Sequence, residues 1–466
     1  MFPRSLNALL SALPCLCAVR VWADQPSYAI FRLQTEETDY QCGHASPLTV
    51  NSYGEAAGHN CFPGNRIVAG YPIFWSHPDS YTHLTTPNDK RAVVVALNDF
   101  REAVGVLGGR LDGGSDAVAW DSAGVFRYLP TLAPDLPAYP TDINNAGVVV
   151  GYARNLSGST VAVFWSDDQI RALPLNADSV SAQALGVSGG GTACGFVERI
   201  DGEYPVVWEG SQPRFLQVPP DYVGGRARDV DDQGRCVGYV YRKLFDGSLA
   251  SDPVRWDRHG RATLLNGTGG ASTHALAFNA LGQIVGGQVD THEDTSGYRA
   301  GILWDASGMH FLWQLIPPGT GLSLTTAWDI NDAGQIVGEA NEDRYTRFRA
   351  VLLSPINPSF ELDQAIPGFA GQSNSVSAHG LSPGVQVRFV ASLHGGGAQI
   401  AGCDLQSGAL AVQQPYLIGT AVADANGDAS IDVFVQDRVR DLGDVFIQAF
   451  VPSQCIVSDL EVQQFN

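Results

Sequence analysis

The sequence predicts an all-β protein made of a seven-bladed β-propeller followed by a small β-sandwich. Two features of composition favour this fold class, since glycine supplies 52 of the 466 residues and charged residues make up only 16%. Typical globular chains hold about 7% glycine and about 25% charged residues. Many glycines and few charges suit tight turns between short strands better than amphipathic helices. A third observation, an internal repeat, gives the number of blades.

The repeat is clearest in residues 143–151 and 330–338, which share the pattern I-N-[ND]-A-G-x-[VI]-V-G. Weaker copies place an equivalent key residue at five more points of the chain. The seven key residues are Asn51, Asn98, Asn144, Ser188, Asp231, Asn279 and Asn331. Successive key residues are 43 to 52 residues apart, and each is followed by a glycine seven positions later. A unit of this length with four short strands is the size of one propeller blade.

The second half of each unit repeats as well. A large apolar residue follows the key residue by 20 to 25 positions, and a leucine follows eight or nine positions after that. The large residues are Trp75, Trp120, Trp165, Trp208, Trp256, Trp304 and Leu353. We expect them to pack between blades, because a repeated position usually has a repeated role in the scaffold. The key residue is expected in a tight turn, since Asn bonds its own backbone and glycine accepts positive φ.

This pattern, A-x-x-[IVL]-N-x-x-G-x-x-V-G followed by A-x-x-W and a leucine, resembles the bacterial extracellular repeats of the HAF type over about residues 28–355. The resemblance implies a secreted repeat protein and implies no particular activity. The sequence departs from the pattern at Arg101, Ser188, Asp231 and Leu353. These departures weaken individual blades without changing their number.

A propeller has to close its ring, because an open blade would expose an unpaired strand edge. Residues 31–33 have the pattern of a last strand with no blade in front of it, so we expect them to complete blade seven. Residues 360–362 compete for the same place. The propeller is accordingly predicted over residues 24–355 and the C-terminal sandwich over residues 356–466.

The C-terminal segment alternates strand-like stretches with turn signals at residues 381–384 and 423–427. About 110 residues with this spacing predict an Ig-like β-sandwich. The segment also resembles a C-terminal sandwich module of secreted bacterial proteins.

Residues 1–23 have the features of a signal peptide. Arg4 precedes an apolar run over residues 6–19, and the sequence V-W-A offers a cleavage site before Asp24. The run is too short to span a bilayer. These features predict an exported protein, and the resemblance to HAF-type repeats implies a bacterial one in an extracellular or periplasmic location.

Six cysteines follow the signal peptide, and an even number in an exported chain predicts disulfides. The expected bridges are Cys42–Cys61, Cys194–Cys236 and Cys403–Cys455. The bridge between Cys194 and Cys236 would join blades four and five. The two residues stand at positions of opposite parity on the second strands of their units, and side chains alternate between the faces of a sheet.

Charge excludes several classes of partner. The chain holds 28 basic and 48 acidic residues, a net charge of −20, so it lacks the basic surface that nucleic-acid phosphates require. Only two of the basic residues are lysines, and no basic cluster is present to attract anionic membranes. No later segment is apolar enough to insert into a bilayer. We expect a monomer whose partner is an extracellular protein or a glycan.

No set of residues in the sequence predicts catalysis, a cofactor or a bound metal. Residues 380–384 spell the G-x-S-x-G string of a nucleophile elbow, but a strand follows where the elbow needs a helix. The acidic stretch at residues 424–428 starts like a calcium loop but lacks the glutamate required at its twelfth position. Both segments are predicted to be turns.

Binding is expected on the face of the ring that carries variable loops, because rigid blades hold such loops in place. The loops between the second and third strands differ most in length and charge, and they share a face with the blade-to-blade loops. The candidate residues are Tyr241, Arg242, His292, Glu293, Asp294, Glu342, Asp343, Arg344 and Tyr345.

The function that these features favour is non-enzymatic, in a secreted propeller that binds a partner, a glycan or a polymer through its loop-rich face. The alternative is a propeller-type glycosidase or lyase. Such an enzyme would need several acids or histidines that converge on the central funnel, and we expect none on the first strands of the blades. A structural protein of the envelope or matrix is the third possibility.

Overall fold

The computed structural model describes residues 27–35, 45–60, 70–108, 116–209, 212–269, 271–289, 298–342, 348–405 and 408–466. Within these ranges the regular structure is almost entirely β. Seven antiparallel sheets of four strands follow one another along the chain as the blades of a propeller, which confirms the predicted fold class. Short 3-10 helices lie at Pro87–Asp89, Leu312–Gln314 and Asp437–Leu442.

In blades 1 to 6 the strands follow chain order from the first, innermost strand to the last, outermost one. Blade 1 has β2 (Ala45–Val50), β3 (Ala56–Asn60), β4 (Tyr71–His77) and β5 (Ser80–His83). Blade 2 has β6 (Ala92–Leu97), β7 (Ala103–Leu107), β8 (Asp116–Trp120) and β9 (Phe126–Tyr128). Blade 3 has β10 (Ala138–Ile143), β11 (Val149–Arg154), β12 (Thr160–Ser166) and β13 (Gln169–Ala172).

The next three blades have the same arrangement. Blade 4 has β14 (Ser181–Val187), β15 (Ala193–Arg199), β16 (Gly202–Glu209) and β17 (Gln212–Phe215). Blade 5 has β18 (Tyr222–Val230), β19 (Cys236–Lys243), β20 (Leu249–Trp256) and β21 (Ala262–Leu264). Blade 6 has β22 (Ser272–Phe278), β23 (Ile284–Val289), β24 (Tyr298–Asp305) and β25 (Gly308–Phe311).

Blade 7 is assembled from both ends of the propeller sequence. Its first three strands are β26 (Ser323–Ile330), β27 (Ile336–Asn341) and β28 (Phe348–Pro355). Its outermost strand is β1 (Tyr28–Arg32), which pairs antiparallel with β28. Blade 7 packs against the first strand of blade 1, so the ring is closed by non-covalent pairing.

The remaining chain forms the C-terminal module. Its strands are β29 (Pro358–Leu362), β30 (Gln372–His379), β31 (Gln386–Ser392), β32 (Gly395–Gln399), β33 (Ala409–Val412), β34 (Tyr416–Val422), β35 (Ala429–Val435), β36 (Val445–Val451), β37 (Ile456–Ser458) and β38 (Glu461–Gln463). Eight of these strands form one curled sheet whose end strands, β34 and β35, approach each other. The other two, β32 and β33, form a separate ribbon that packs on β1 of the propeller.

Every blade carries a β-bulge in its first strand, just before the key residue. The pairing of first and second strands slips by one residue in all seven blades, for example between Pro140 and Asp142. The repeated glycine of the second strand lies against this irregular stretch. A Cβ on Gly151 would lie 2.0 Å from the carbonyl oxygen of Tyr139, and five other blades show the same close approach. Only glycine allows this approach, which explains why it recurs seven residues after the key residue.

The key asparagines link the blades to one another. The Oδ1 atom of Asn144 accepts hydrogen bonds from the backbone N–H groups of Ala146 and Val148 and so holds the turn. Its Nδ2 group donates to the carbonyl oxygen of Ser188, the key residue of the next blade, over 2.8 Å. Asn51, Asn98, Asn279 and Asn331 make the same bond to the next key residue, and Asn331 reaches Asn51 across the ring closure. Ser188 and Asp231 lack the amide donor for this bond, so the chain of links is interrupted on both sides of blade 5.

The tryptophans form a second set of links nearer the rim. Each indole Nε1 donates to a backbone carbonyl just after the last strand of the preceding blade, over 2.6 to 3.0 Å. The Trp75 indole bonds the carbonyl oxygen of Gln34, directly after β1, so β1 is held in the same way as the outermost strands of the other blades. All six side chains are almost fully buried.

The cysteines have three different outcomes. Cys403 and Cys455 form a disulfide with a Cα–Cα distance of 5.6 Å, which ties the ribbon to the curled sheet. Cys42 and Cys61 lie outside the described residues. Cys194 and Cys236 are buried free thiols, so the bridge predicted between blades 4 and 5 is absent from this structure. Their side chains are hydrogen-bonding neighbours, and burial raises the pKa of the Cys194 thiol well above its usual value. Packed sheets lie about 10 Å apart, further than the Cα separation that a disulfide spans.

Replacing a key asparagine tests the links between blades. Asn331→Ala removes four hydrogen bonds: two that hold the turn, one to the side chain of Gln335, and the link to blade 1. We expect a loss of about 4 kcal/mol in the free energy of unfolding, since each such bond contributes about 1 kcal/mol net. The matched control, Ser188→Ala, removes one bond to Thr192 and no link, so it should cost only about 1 kcal/mol. Equal losses in urea denaturation would contradict the assignment.

Removing the closing strand tests the ring closure. A chain without residues 24–35 exposes the edge of β28 and loses the buried side chains of Ala29 and Phe31. Because a free apolar edge recruits other strands, we expect aggregation, visible as a shift to the void volume in size-exclusion chromatography. A chain that lacks only residues 1–23 serves as the control and should stay soluble. A soluble truncated monomer with an unchanged melting temperature would show that β1 is dispensable.

Candidate functional site

The described loop-rich face carries a cluster of charged and aromatic side chains across blades 3 to 6. It lies where the first strands begin and the second strands end, on the face opposite the key turns. Its centre is Arg226 of β18, which donates from Nε and Nη2 to the two carboxylate oxygens of Glu203 on β16, both over 2.6 Å. The guanidinium of Arg226 also lies 4.2 Å over the ring of Phe196. The bidentate ion pair joins blade 4 to blade 5 beside the interruption in the asparagine links.

Tyrosines extend the cluster around this ion pair. The hydroxyl of Tyr241 donates to Glu203 over 2.9 Å, and its ring contacts the edge of Tyr239. Tyr239 stacks on His274 of blade 6 with ring centroids 3.8 Å apart. On blade 3, Tyr152 stacks on Tyr139 with centroids 4.9 Å apart, and the Arg226 charge acts on the Tyr152 hydroxyl. Aromatic surfaces from three blades therefore lie close to one guanidinium.

A second ion pair lies next to the first. Arg242 donates from Nε to Oδ2 of Asp252 over 2.8 Å, and the hydroxyl of Tyr222 donates to the same oxygen over 2.8 Å. Burial and the hydrogen bond to Asp252 raise the pKa of Tyr222 to about 12. Every described carboxylate in the cluster is therefore paired with a cation and a phenol.

His274 is held as a neutral imidazole. Burial, with the positive charges of Arg228 and Arg226, lowers its pKa to about 3. Its Nε2 atom lies 2.7 Å from the hydroxyl of Ser251. A general base works best with a pKa near the working pH, and His274 is far from that range. The Tyr241 hydroxyl also has a raised pKa, through burial and the nearby Tyr239 and Glu203. The cluster can present fixed donors, acceptors and rings, but it holds no group poised to move a proton at neutral pH.

The first strands also carry acids, contrary to the expectation from sequence. Asp142, Asp229 and Asp329 stand two residues before the key residues of blades 3, 5 and 7. They are close enough for Asp142 and Asp329 to raise the pKa of Asp229, and burial is the largest cause for all three. The pKa of Asp142 rises to about 7 and that of Asp329 to about 6. The signal was visible in the sequence as an aspartate at the same offset in three repeats.

These aspartates have a structural role, in which each of the two carboxylate oxygens accepts a backbone hydrogen bond. In each, Oδ1 accepts from the next backbone N–H of its own strand, and Oδ2 accepts from a backbone N–H of the following blade. The bonded partner in the following blade is Val187 for Asp142, Phe278 for Asp229 and Val50 for Asp329. Asp229 therefore bridges blades 5 and 6, where the asparagine link is missing. Among the described residues, no group of three or more His, Cys, Asp or Glu could hold a metal ion.

The candidates predicted from the sequence separate into three sets. Tyr241 and Arg242 belong to the cluster. Glu342 lies elsewhere and pairs with Arg32 and Arg349 near the ring closure. His292, Glu293, Asp294, Asp343, Arg344 and Tyr345 lie outside the described residues. Loop variability does not indicate Arg226, Glu203 and His274, because these residues lie on strands.

Comparisons with known proteins find only distant structural similarity. No protein-family model matches the sequence, and a search of curated proteins finds no relative. Among solved structures, the chain is similar to virginiamycin B lyase from Staphylococcus aureus, with 12% identity and a TM-score of 0.41 over 70% of this chain and 98% of that one. It is also similar to YCF48 bound to D1 peptide, with 12% identity and a TM-score of 0.40 over 71% and 97%. A third similar structure is TolB from Acinetobacter baumannii, with 12% identity and a TM-score of 0.38 over 65% and 64%.

Similarities this distant say nothing about a ligand or an activity. The fold and the cluster together define a seven-bladed β-propeller protein with a C-terminal β module. Within the part of the chain that the structure describes, no helix is long and apolar enough to cross a membrane.

The raised pKa values predict a specific pH dependence of stability. An unfolded aspartate has a pKa near 3.9, so between about pH 4 and pH 7 the folded protein holds a proton on Asp142 that the unfolded chain releases. Stability therefore falls as pH rises through this window, by up to about 1.4 kcal/mol per pH unit for one fully shifted group. Asp142→Asn removes this contribution. We expect the stability of the native protein minus that of Asp142→Asn to fall from pH 5 to pH 7 in urea denaturation, whereas a constant difference would refute the raised pKa.

Proposed function

We propose that this protein is an exported bacterial binding protein that holds a glycan on the loop-rich face of blades 3 to 6. The supporting observation is the cluster of ion-paired, stacked side chains around Arg226. Ligand sites commonly combine aromatic surface with a few fixed polar groups. The apolar C–H face of a sugar ring packs on aromatic rings, while its hydroxyls pair with groups such as Arg226, Glu203 and Asp252.

Preorganisation supports binding over catalysis. The side chains of the cluster already hold one another through short bonds and stacked rings, so little conformational entropy remains to be lost when a ligand docks. The neutral His274 and the phenols of high pKa are suited to hydrogen bonding and unsuited to acid–base chemistry at neutral pH. The glycosidase or lyase alternative would need a pair of groups that transfer protons near neutral pH. Asp142 and Asp329 have pKa values in that range, but each already accepts hydrogen bonds from two backbone N–H groups.

Export is part of the same proposal. The Cys403–Cys455 disulfide suits an oxidising compartment, and the apolar run near the start of the sequence has the pattern of a signal peptide. The resemblance to HAF-type repeats supports an extracellular or periplasmic location.

A glycan array with matched variants tests the proposal. We expect the native protein to bind one class of glycan and to release no product. Tyr152→Ala should weaken binding more than tenfold, because it removes a ring of the cluster. Tyr53→Ala is the control, since Tyr53 is 71% exposed on the opposite face at the key turn of blade 1. Binding lost equally in both variants would contradict the site. Turnover of the glycan would favour the enzyme alternative, and silence on the array would favour a structural role.

A further inference from the structure

A cavity, separate from the loop-face cluster, lies where the ring closes. It has a volume of about 440 Å³ and lies between the segment from β1 to Thr35, the β4–β5 turn of blade 1 and the β32–β33 ribbon. Cavities of this size at the junction of two domains commonly bind small molecules. The proposed glycan site on blades 3 to 6 shares none of its lining residues.

The cavity is bounded by a glycine segment of the ribbon that packs closely on the propeller. A Cβ on Gly395 would lie 2.4 Å from the carbonyl oxygen of Pro318, and one on Gly397 would lie 2.8 Å from that of Ile30. The missing side chains let the ribbon approach β1 while an open space remains beside it. The Cys403–Cys455 disulfide anchors the loop that follows β32 to the curled sheet.

One side of the cavity is lined by polar groups in fixed positions. The backbone N–H of Asp79 donates to Nδ1 of His77 over 3.2 Å, so the ring proton is on Nε2, which lies 2.5 Å from Oε1 of Gln399. Gln34 donates to Oδ1 of Asp79 over 3.1 Å. The amide side chain of Gln413 also lines the space. Both ring nitrogens of His77 are engaged in these bonds, whereas the side-chain amides of Gln34 and Gln413 keep donors and acceptors for ligand hydroxyls.

The other side carries positive charge. Arg32 and Arg349 line the cavity and share a single carboxylate, Glu342, at 2.9 and 3.0 Å. On this side of the cavity two guanidinium groups share one carboxylate, whereas the carboxylate of Asp79 lies on the polar side. The side chain of Arg349 is 31% exposed and lines the cavity, so the guanidinium can offer a ligand donors that do not bond Glu342.

We propose that this cavity binds a small sugar acid, with its carboxylate against Arg349 and Arg32 and its hydroxyls against Gln34, Gln399 and Gln413. Arginine is the side chain best suited to carboxylates, since its donors match their two oxygens. Because the cavity is formed by β1 and the ribbon together, the ligand binds only the closed ring. Binding therefore raises the melting temperature of the whole protein.

Calorimetric titration with D-glucuronate and with D-glucose tests the proposal. We expect the native protein to bind glucuronate at least tenfold more tightly than glucose, with a rise in melting temperature. Arg349→Met should weaken glucuronate binding at least tenfold, because it keeps the length of the side chain and removes its donors. Gln413→Glu supplies a second variant that keeps both arginines and places a negative charge in the cavity, so it should also weaken glucuronate binding.

The loop-face variant separates this site from the proposed glycan site. Tyr152→Ala should leave glucuronate binding unchanged, whereas a parallel loss would place the bound sugar on the loop face and overturn the cavity assignment. Failure of the native protein to bind glucuronate would also overturn it, whatever the glycan array shows. The cavity assignment would also be overturned if glucose and glucuronate bound equally tightly and neither Arg349→Met nor Gln413→Glu reduced their affinities.

Discussion

The hydrogen bond from each key asparagine to the next blade is the interaction on which the propeller most depends. One side chain does two things at once, because its oxygen holds the turn of its own blade while its amide nitrogen reaches the carbonyl of the neighbouring key residue. The turn and the packing of blades are therefore formed together. The bulge beside each turn brings the first strand onto the second-strand glycine, which keeps the side chains before the key residue in register around the axis.

The asparagine links are missing on both sides of blade 5, in the part of the ring that carries the loop-face cluster. Blade 5 has neither a donor of its own nor one from blade 4, because the key residues there are Ser188 and Asp231. Other contacts hold its two sides: the Glu203–Arg226 ion pair and the neighbouring thiols of Cys194 and Cys236 toward blade 4, and Asp229 toward blade 6. Because these individual contacts replace the asparagine link, the strands of blade 5 need not carry the repeated key asparagine. The charged and aromatic cluster of the loop face lies across this same part of the ring.

Ring closure couples the propeller to the C-terminal module. A buried cluster continues from Phe31 and Leu33 through Trp75 into Leu410 and Phe450 of the module, so β1 has apolar neighbours on both sides. Ser354 of β28 also donates to the carbonyl oxygen of Leu405 over 2.6 Å. The module thus covers the strand that closes the ring, which is the one place where a propeller could open without breaking the chain.

The sequence by itself determined the all-β class, the seven blades and the place of the key residues, because turn chemistry and close backbone approach act locally and repeat at fixed spacing. It also contained the pattern of the C-terminal strands and the Cys403–Cys455 pair. Tertiary structure decided which candidate strand pairs with β28, that Cys194 and Cys236 stay free, and that Arg226, Glu203 and His274 meet. These outcomes depend on contacts between blades, where residues about 20 to 50 positions apart in sequence come together. Periodicity shows that blades exist, but the side chains that face each other across them depend on the packing of the whole ring.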